Sequence, residues 1–251
     1  MPTHDLRPLL ADRATRPQSL VDALNAELVP GAVERYNSEF GPRHFGRLLA
    51  EEIPIEKTRL SAFRGRLGLL IEYALAVTID KMLEEDYGDE FRLSAEVVNK
   101  YPDFYLRDSP GAQLLRVDFK VLHDESDEYS ARLTTPVAEL TAGDDLVLYS
   151  AWRWGRSRLF GTELRYSEIP GALVVSALAI ATERDERLRI LGGTVAADGT
   201  PMLAGGNKDT NYGKINRIVH PSRRGVRLDP SVEAFLEFVG RYVPGAAEQV
   251  V

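Results

Sequence analysis

Apolar positions recur at helical spacing through the first third of the chain, then change to short alternating runs after Gly88. Ser19 is placed to cap an amphipathic helix over residues 20–29, with a stop at Pro30-Gly31. A second short helix is predicted over 42–53, ending before Pro54. A long one follows over about 55–85, stopping at Tyr87-Gly88. The middle of the long helix, 67–79, is apolar on nearly every face and should be deeply buried. Three strands follow at 91–98, 103–107 and 114–122, the last two joined as a hairpin by Ser109-Pro110-Gly111. A short helix at 136–140 precedes a strand at 146–154, and residues 167–191 lean helical up to a Gly192-Gly193 stop. A hairpin turning at Asp198-Gly199, a polar glycine-rich stretch over 205–213 and a helix over 231–242 complete the pattern. No internal repeat or linker interrupts it. The expectation is one α/β domain with a mixed central sheet flanked by helices. It divides into a helical region over 1–66, a core over 67–154 and a C-terminal part over 155–251.

Composition narrows the chemistry. Apolar residues make up 44% of the 251 positions and charged residues 27%, which fits a globular chain with a real core. There is no cysteine, which excludes disulfides, thiolate zinc sites and cysteine nucleophiles and suits a reducing compartment. Residues 1–20 carry charges throughout, unlike a signal peptide. The longest apolar run, 169–181, contains Pro170, Gly171 and Ser176 and is too short to cross a bilayer. A soluble cytoplasmic protein without a membrane partner is therefore expected. The net charge of −7 argues against a generic lysine-coated polyanion binder, although clustering of cations matters more than their sum.

The strand at 114–122 is the most informative segment. Its period of two puts Leu115, Val117, Phe119 and Val121 on one face, while Asp118 and Lys120 share the other. An acid and an ammonium inside so apolar a strand cost free energy unless they are paired or functional. Of the six lysines in the chain, Lys120 alone has an acid two positions before it. The predicted hairpin brings Asp103, at the entry of its strand after Pro102, beside Asp118. Two carboxylates and an amine around one point suit phosphodiester hydrolysis. Mg²⁺ takes oxygen ligands from one or two carboxylates plus water and phosphate, and the Phe119 carbonyl is a further donor. Lys120 can orient or deprotonate the attacking water. The bland alternative is a structural ion pair between Asp118 and Lys120 at a strand edge.

At Pro102-Asp103 and Asp118-Phe119-Lys120 the chain resembles the PD-(D/E)xK nuclease superfamily, with Asp in place of the commoner Glu at the second acid. The resemblance spans roughly residues 67–154 and implies a restriction-endonuclease-like core. It also implies a helix glutamate that reaches the metal. Glu72, the one charged residue between Leu67 and Ile79, is the candidate, with Glu96 and more weakly Glu139 as other acids that could serve. Bonding of Glu72 to a nearby arginine is the competing reading. The implied catalytic set is Asp103, Asp118, Lys120 and Glu72, with Mg²⁺ on Asp103, Asp118, Glu72 and the Phe119 carbonyl. The implied activity is DNA cleavage, most like a homodimeric type II restriction endonuclease acting on double-stranded DNA. Repair, recombination and phage-defence nucleases share the family, and a non-catalytic nucleic-acid-binding module is the other alternative.

Two segments qualify as DNA-binding elements. Arg153, Arg156 and Arg158 interleave with Trp152 and Trp154 and can grip phosphates; two core tryptophans and a solvated turn would give the same pattern. Asn207, Lys208, Asn211, Tyr212, Lys214, Asn216 and Arg217 form a polar glycine-rich stretch suited to base edges and phosphates, extended by His220, Arg223, Arg224 and Arg227. A plain flexible loop is the alternative. Other chemistries lack support: the four histidines have no metal-ligand spacing, and no phosphate-binding loop, nucleophile elbow or dinucleotide fingerprint occurs.

Overall fold

The computed structural model describes residues 5–11, 16–40, 47–96, 101–125, 131–223 and 225–243. Eight strands and six α-helices are ordered along these residues as α1 (Leu6–Ala11), α2 (Arg16–Ala23), α3 (Val29–Arg35), β1 (Leu48–Leu49), α4 (Lys57–Tyr87), β2 (Phe91–Ala95), β3 (Phe104–Asp108), β4 (Gln113–His123), β5 (Asp145–Leu159), β6 (Thr162–Ser176), α5 (Ala177–Ile190), β7 (Thr194–Val195), β8 (Pro201–Met202) and α6 (Pro230–Tyr242). Six strands form one mixed sheet in the order β1-β6-β5-β4-β3-β2, in which β4 and β5 run parallel and the other neighbours antiparallel. The expected α/β architecture with a mixed sheet between helices is what the chain adopts. None of the helices, among the described residues, is long and apolar enough to cross a membrane.

The sheet separates two apolar clusters. On one face Leu115, Val117, Phe119, Leu146 and Leu148 pack against α1–α4; on the other Val147, Tyr149, Ala151 and Val175 pack against α5 and α6. Helix α4 lies on the first face because Leu67, Ile71, Leu75, Ile79 and Leu83 repeat every four residues and are all buried. The Glu56 carboxylate caps it by accepting from the amides of Thr58 and Arg59 at 2.8 and 3.0 Å.

The N-terminal region departs from its predicted boundaries. Helical structure begins at Arg16, before Ser19, and continues through Pro30-Gly31 to Phe40, with π-helical turns at Leu24–Leu28 and Tyr36–Phe40. Pro30 is accommodated directly after the π-helical turn of Leu24–Leu28, at the second residue of α3. Gly31 marks a close approach rather than a stop: a β-carbon there would come within 2.7 Å of the Met82 Cε on α4. The predicted helix over 42–53 is not helical where it is described; residues 47–53 form β1 and a 3₁₀ turn, and 42–46 lie outside the described residues.

Each π-turn carries one asparagine that meets β6. Asn25 accepts from the Val174 amide and donates to its carbonyl, at 2.8 and 2.7 Å. Asn37 does the same at Ile169, at 2.8 Å both ways. From Asn25 to Asn37 a helix advances about 18 Å and from Ile169 to Val174 a strand advances about 17 Å, so the two amides fall on the strand in step. They satisfy backbone groups of β6 beyond its short pairing with β1 at Leu164 and Arg165.

The segment 167–191 is not one helix. Its first part belongs to β6, and α5 starts at Ala177, where the Ser176 hydroxyl accepts from the Ala179 amide at 3.3 Å. Pairing against β5 overrides the helical lean because Ile169, Val174 and Val175 bury on both sheet faces. The β5–β6 hairpin turns at Phe160-Gly161, both at positive φ (48° and 84°), and Phe160 is 100% exposed. The small β7–β8 hairpin contains the predicted turn at Asp198-Gly199.

Two stability outcomes follow. Asn25→Ala leaves the Val174 amide and carbonyl without their partner and should cost about 1–3 kcal/mol in urea unfolding. Phe160→Asn replaces an exposed bulky residue at positive φ with one that tolerates it, so the unfolding free energy should rise by about 0.5–1 kcal/mol, read as a higher urea midpoint; a large loss would mean that the Phe160 ring makes contacts of its own.

A candidate acid–lysine site at the end of β3

Strand β4 outruns its partner. The β3–β4 ladder ends at Phe104 opposite Val117, while β4 continues to His123. On that side the amides of Phe119 and Val121 have no strand partner, and carboxylates take them. Asp103, one residue before β3, accepts from the Phe119 amide at 2.7 Å. Glu72, reaching from α4, accepts from the Val121 amide. Gly68, one helical turn before Glu72, lets α4 come close to this strand: a β-carbon there would lie 3.9 Å from the Val121 carbonyl oxygen.

Asp118 and Lys120 complete the group from β4. The Lys120 Nζ lies 2.6 Å from Asp118 Oδ2 and 3.8 Å from Asp103 Oδ2, and donates to the Phe119 carbonyl at 3.2 Å. Asp118 is buried, with Tyr149 near it on the same face, while Asp103 remains partly exposed at the mouth. Burial pushes Asp118 up to about 7, with Lys120 opposing and Asp103 reinforcing the rise. Burial likewise pushes Glu72 up to about 7; the charge of Asp103 adds to that, while Lys120 and the Val121 amide resist it. All four predicted site residues, Asp103, Asp118, Lys120 and Glu72, thus act on one another, and the Phe119 carbonyl faces the same place.

Of the other acids, Glu96 is held elsewhere, by a side-chain hydrogen bond with Tyr105, and Glu139 is exposed, with its carbonyl bonded to Arg116 at 2.8 Å. Tyr101 and Asp145 border the site and were not evident from the pattern. The Tyr101 hydroxyl donates to the fully buried Asp145 at 2.7 Å, and Asp145 also binds Arg116 and the Thr141 amide. A tyrosine just before Pro102-Asp103 and an acid opening an apolar strand were the available signals.

Among the described residues no group of three or more histidine, aspartate or glutamate side chains is gathered closely enough to cage a metal by itself. The donors present suit a cation that keeps most of its water: two or three carboxylates and one carbonyl, all oxygen, with neither imidazole nor thiolate. Asp103, Asp118, Glu72 and the Phe119 carbonyl are the groups that would hold Mg²⁺.

The predicted DNA-binding segments separate into accessible and inaccessible parts. Arg153, Arg156 and Arg158 are exposed along the β5–β6 hairpin, with Arg153 paired to Glu168 at 3.0 Å. Asn207 and Lys208 are exposed; Asn211, Lys214 and Arg217 are half-buried. Tyr212 and Asn216 are buried, which removes both from any surface contact. The Tyr212 hydroxyl donates to Asp185 at 2.5 Å, and the buried Arg184 guanidinium lies 4.4 Å from the centre of its ring. Arg187 and Asp209, paired at 2.8 Å, fasten the same stretch to α5, so it is not a free loop. Arg223 pairs with Glu183 at 3.0 Å, and Arg224 lies outside the described residues.

The shifted acids set a pH dependence. A Glu72 carboxyl near 7 in the folded chain gives up its proton in the unfolded chain near the ordinary value, so ionisation penalises the folded state. Without divalent cations, wild-type stability should fall as pH rises from about 4 through about 7. Glu72→Gln should lose less over that window and be the more stable protein at alkaline pH, by urea midpoint. Adding Mg²⁺ should stabilise the wild type more than the variant; equal responses of the two would remove Glu72 from the cation's surroundings.

No protein-family model matches the chain, and a search of curated proteins returned no match either.

Proposed function

We propose that this chain is a metal-dependent endonuclease of the PD-(D/E)xK type that hydrolyses DNA phosphodiester bonds, acting as a homodimeric restriction enzyme on a specific duplex sequence. One observation carries the reading: two carboxyls, from the entry of β3 and from β4, lie 3.8 and 2.6 Å from a single ammonium at a strand edge, a third from α4 interacts with all three groups electrostatically, and a backbone carbonyl faces the same point. The order of elements also supports it, since a long helix precedes an antiparallel meander and the next strand runs parallel to the last of the three.

The residues divide the chemistry between them. Mg²⁺, when bound, supplies charge to polarise the scissile phosphate and to acidify an attacking water. Asp103 and Asp118 stand side by side, their carboxyls hydrogen-bonded to each other, and each is fixed by β4: Asp103 by the Phe119 amide, Asp118 by Lys120. Lys120 holds its protons within reach of the place where negative charge builds on the phosphoryl oxygens, and its contact with the Phe119 carbonyl keeps the ammonium aimed there. Glu72 is held by the Val121 amide and adds charge behind the two aspartates. On the duplex, the exposed Arg153, Arg156 and Arg158 of the β5–β6 hairpin suit phosphates, and Asn207 and Lys208 suit either phosphates or base edges. Cutting both strands of a palindrome calls for two such sites related by a two-fold axis.

The second reading is a non-catalytic nucleic-acid-binding module. It is favoured by the 2.6 Å contact of Asp118 with Lys120, which engages both groups with each other. Purified protein incubated with duplex DNA and Mg²⁺ separates the two. The nuclease should give cleavage, in discrete sequence-dependent fragments if it is a restriction enzyme. Lys120→Ala and Asp118→Asn should each lower the rate by about a hundredfold or more while DNA binding persists. Binding without cleavage by the wild type would favour the module, and cleavage undiminished in both variants would move the active site elsewhere.

A further inference from the structure

Among the described residues, helix α4 leaves one face largely uncovered, touched at Tyr73 by the edge of Phe104 and at Asp80 by the Leu93 amide. Leu69, Leu70, Tyr73 and Val77 are each about half exposed along it. At 100° per residue these positions, with Arg59, Ala62 and Arg66 before them and Asp80 and Glu84 after them, fall within an arc of about 100°. Four large apolar side chains in a row on the outer face of a helix exceed what an isolated surface position requires.

The charges along this face are arranged by sign. Its N-terminal half carries Arg59 and Arg66 and its C-terminal half carries Asp80 and Glu84, beside a single Lys81. Apart from the capping Glu56, this order opposes the helix dipole: the first turn has no acid and the last turn no base. Local contacts take up part of this charge, Arg59 with Glu56 at 3.9 Å and Glu84 with Arg92 at 3.7 Å, both loose. A helix that is basic at its start, apolar in the middle and acidic at its end is complementary to itself when reversed.

We propose that α4 is a self-docking surface on which a second copy of this chain packs its own α4 antiparallel, about a two-fold axis beside Leu69 and Leu70. With that axis Leu69 of one copy meets Leu70 of the other, Ala62 leaves room for Val77, and Arg66 lies across Tyr73. Arg59 comes opposite Asp80, with Glu84 one turn on. Every contact occurs twice, as an isologous interface demands. The small crossing angle of antiparallel helices keeps the stripe in contact along its length. This surface is defined by α4 alone: DNA cleavage by a monomer would overturn it and leave the nuclease standing, and a dimer that does not cleave would do the reverse.

The test needs neither DNA nor metal. The wild type should sediment as a dimer at micromolar concentration, more weakly in high salt. Reversal of one half (Arg59→Glu with Arg66→Glu) or of the other (Asp80→Lys with Glu84→Lys) should each weaken self-association about tenfold or more, because like charges then face each other. Mixing the two reversed proteins should restore a heterodimer, since acid then faces base in both halves; self-association of the wild type together with its loss in each reversed protein is what marks the antiparallel arrangement. Asp80 also accepts from the Leu93 amide at 2.7 Å, so its substitution can disturb the fold; a second probe avoids that residue. The chain has no cysteine, so Leu70→Cys under mild oxidation should give a disulfide-linked dimer, whereas Phe160→Cys at the exposed hairpin tip should not. A monomeric wild type, reversed proteins that remain dimeric, or cross-linking at position 160 in preference to position 70 would overturn the proposal.

Discussion

The site depends on a mismatch in strand length. Backbone amides inside a sheet must find acceptors, and where β3 ends at Phe104 the Phe119 and Val121 amides of β4 lose the ladder that would have supplied them. Carboxylates are the acceptors recruited, and recruiting two of them beside Asp118 makes the place acidic. The tilt toward negative charge is therefore set by the ordinary need to terminate a strand pairing, and Lys120 offsets only part of it. The same ladder ending explains why the Phe119 carbonyl points outward to the ammonium instead of into a neighbouring strand.

Rigid elements hold each of these groups. Glu72 sits in the middle of a 31-residue helix whose opposite side exposes the apolar stripe, and the turns before and after it are locked by Leu67, Ile71, Leu75 and Ile79 against the sheet. Asp118 and Lys120 are on a strand paired in parallel with β5, which is in turn paired with β6 over almost its whole length. The far side of β6 is closed by Asn25 and Asn37, so the N-terminal helices reach the site indirectly by holding the sheet from its other end. Asp103 is the exception, standing outside β3 and partly exposed. Its carboxylate is held by the Phe119 amide of β4 rather than by a strand of its own.

Much of this was legible from particular residues. The alternation of Leu115, Val117, Phe119 and Val121 around Asp118 and Lys120 placed the strand and its polar pair, and the lone charge of Glu72 in an apolar helix marked the one acid that reaches them. What failed did so for physical reasons. Pro30-Gly31 reads as a stop by local rules, but its glycine serves a helix contact with Met82 that only tertiary structure reveals. Residues 167–176 lack strict alternation because β6 is buried on both faces, which erases the period of two and leaves a helical impression. Tyr212 and Asn216 read as polar binding residues because composition does not tell a solvated loop from one pinned to α5 by Arg184 and Arg187.

The choice between a structural ion pair and a site turns on charge balance. A pair that only stabilises the fold gains most when one cation meets one anion, both fully satisfied, since each buried charge must recover its lost hydration. Here one ammonium faces the carboxyls of Asp103, Asp118 and Glu72, and two of these are driven up to about 7 by burial and by one another. Trimming Glu72 to a neutral residue would relieve that cost without losing the Asp118–Lys120 contact. A neutral glutamine could accept from the Val121 amide as well, so the strand ending calls for an acceptor but not for an acid there, in the only otherwise uncharged stretch of α4. A third carboxyl becomes favourable once a divalent cation shares the space, because the added charge turns mutual repulsion into shared attraction. Under the proposed nuclease reading, that shared attraction is what the surplus of acid would serve.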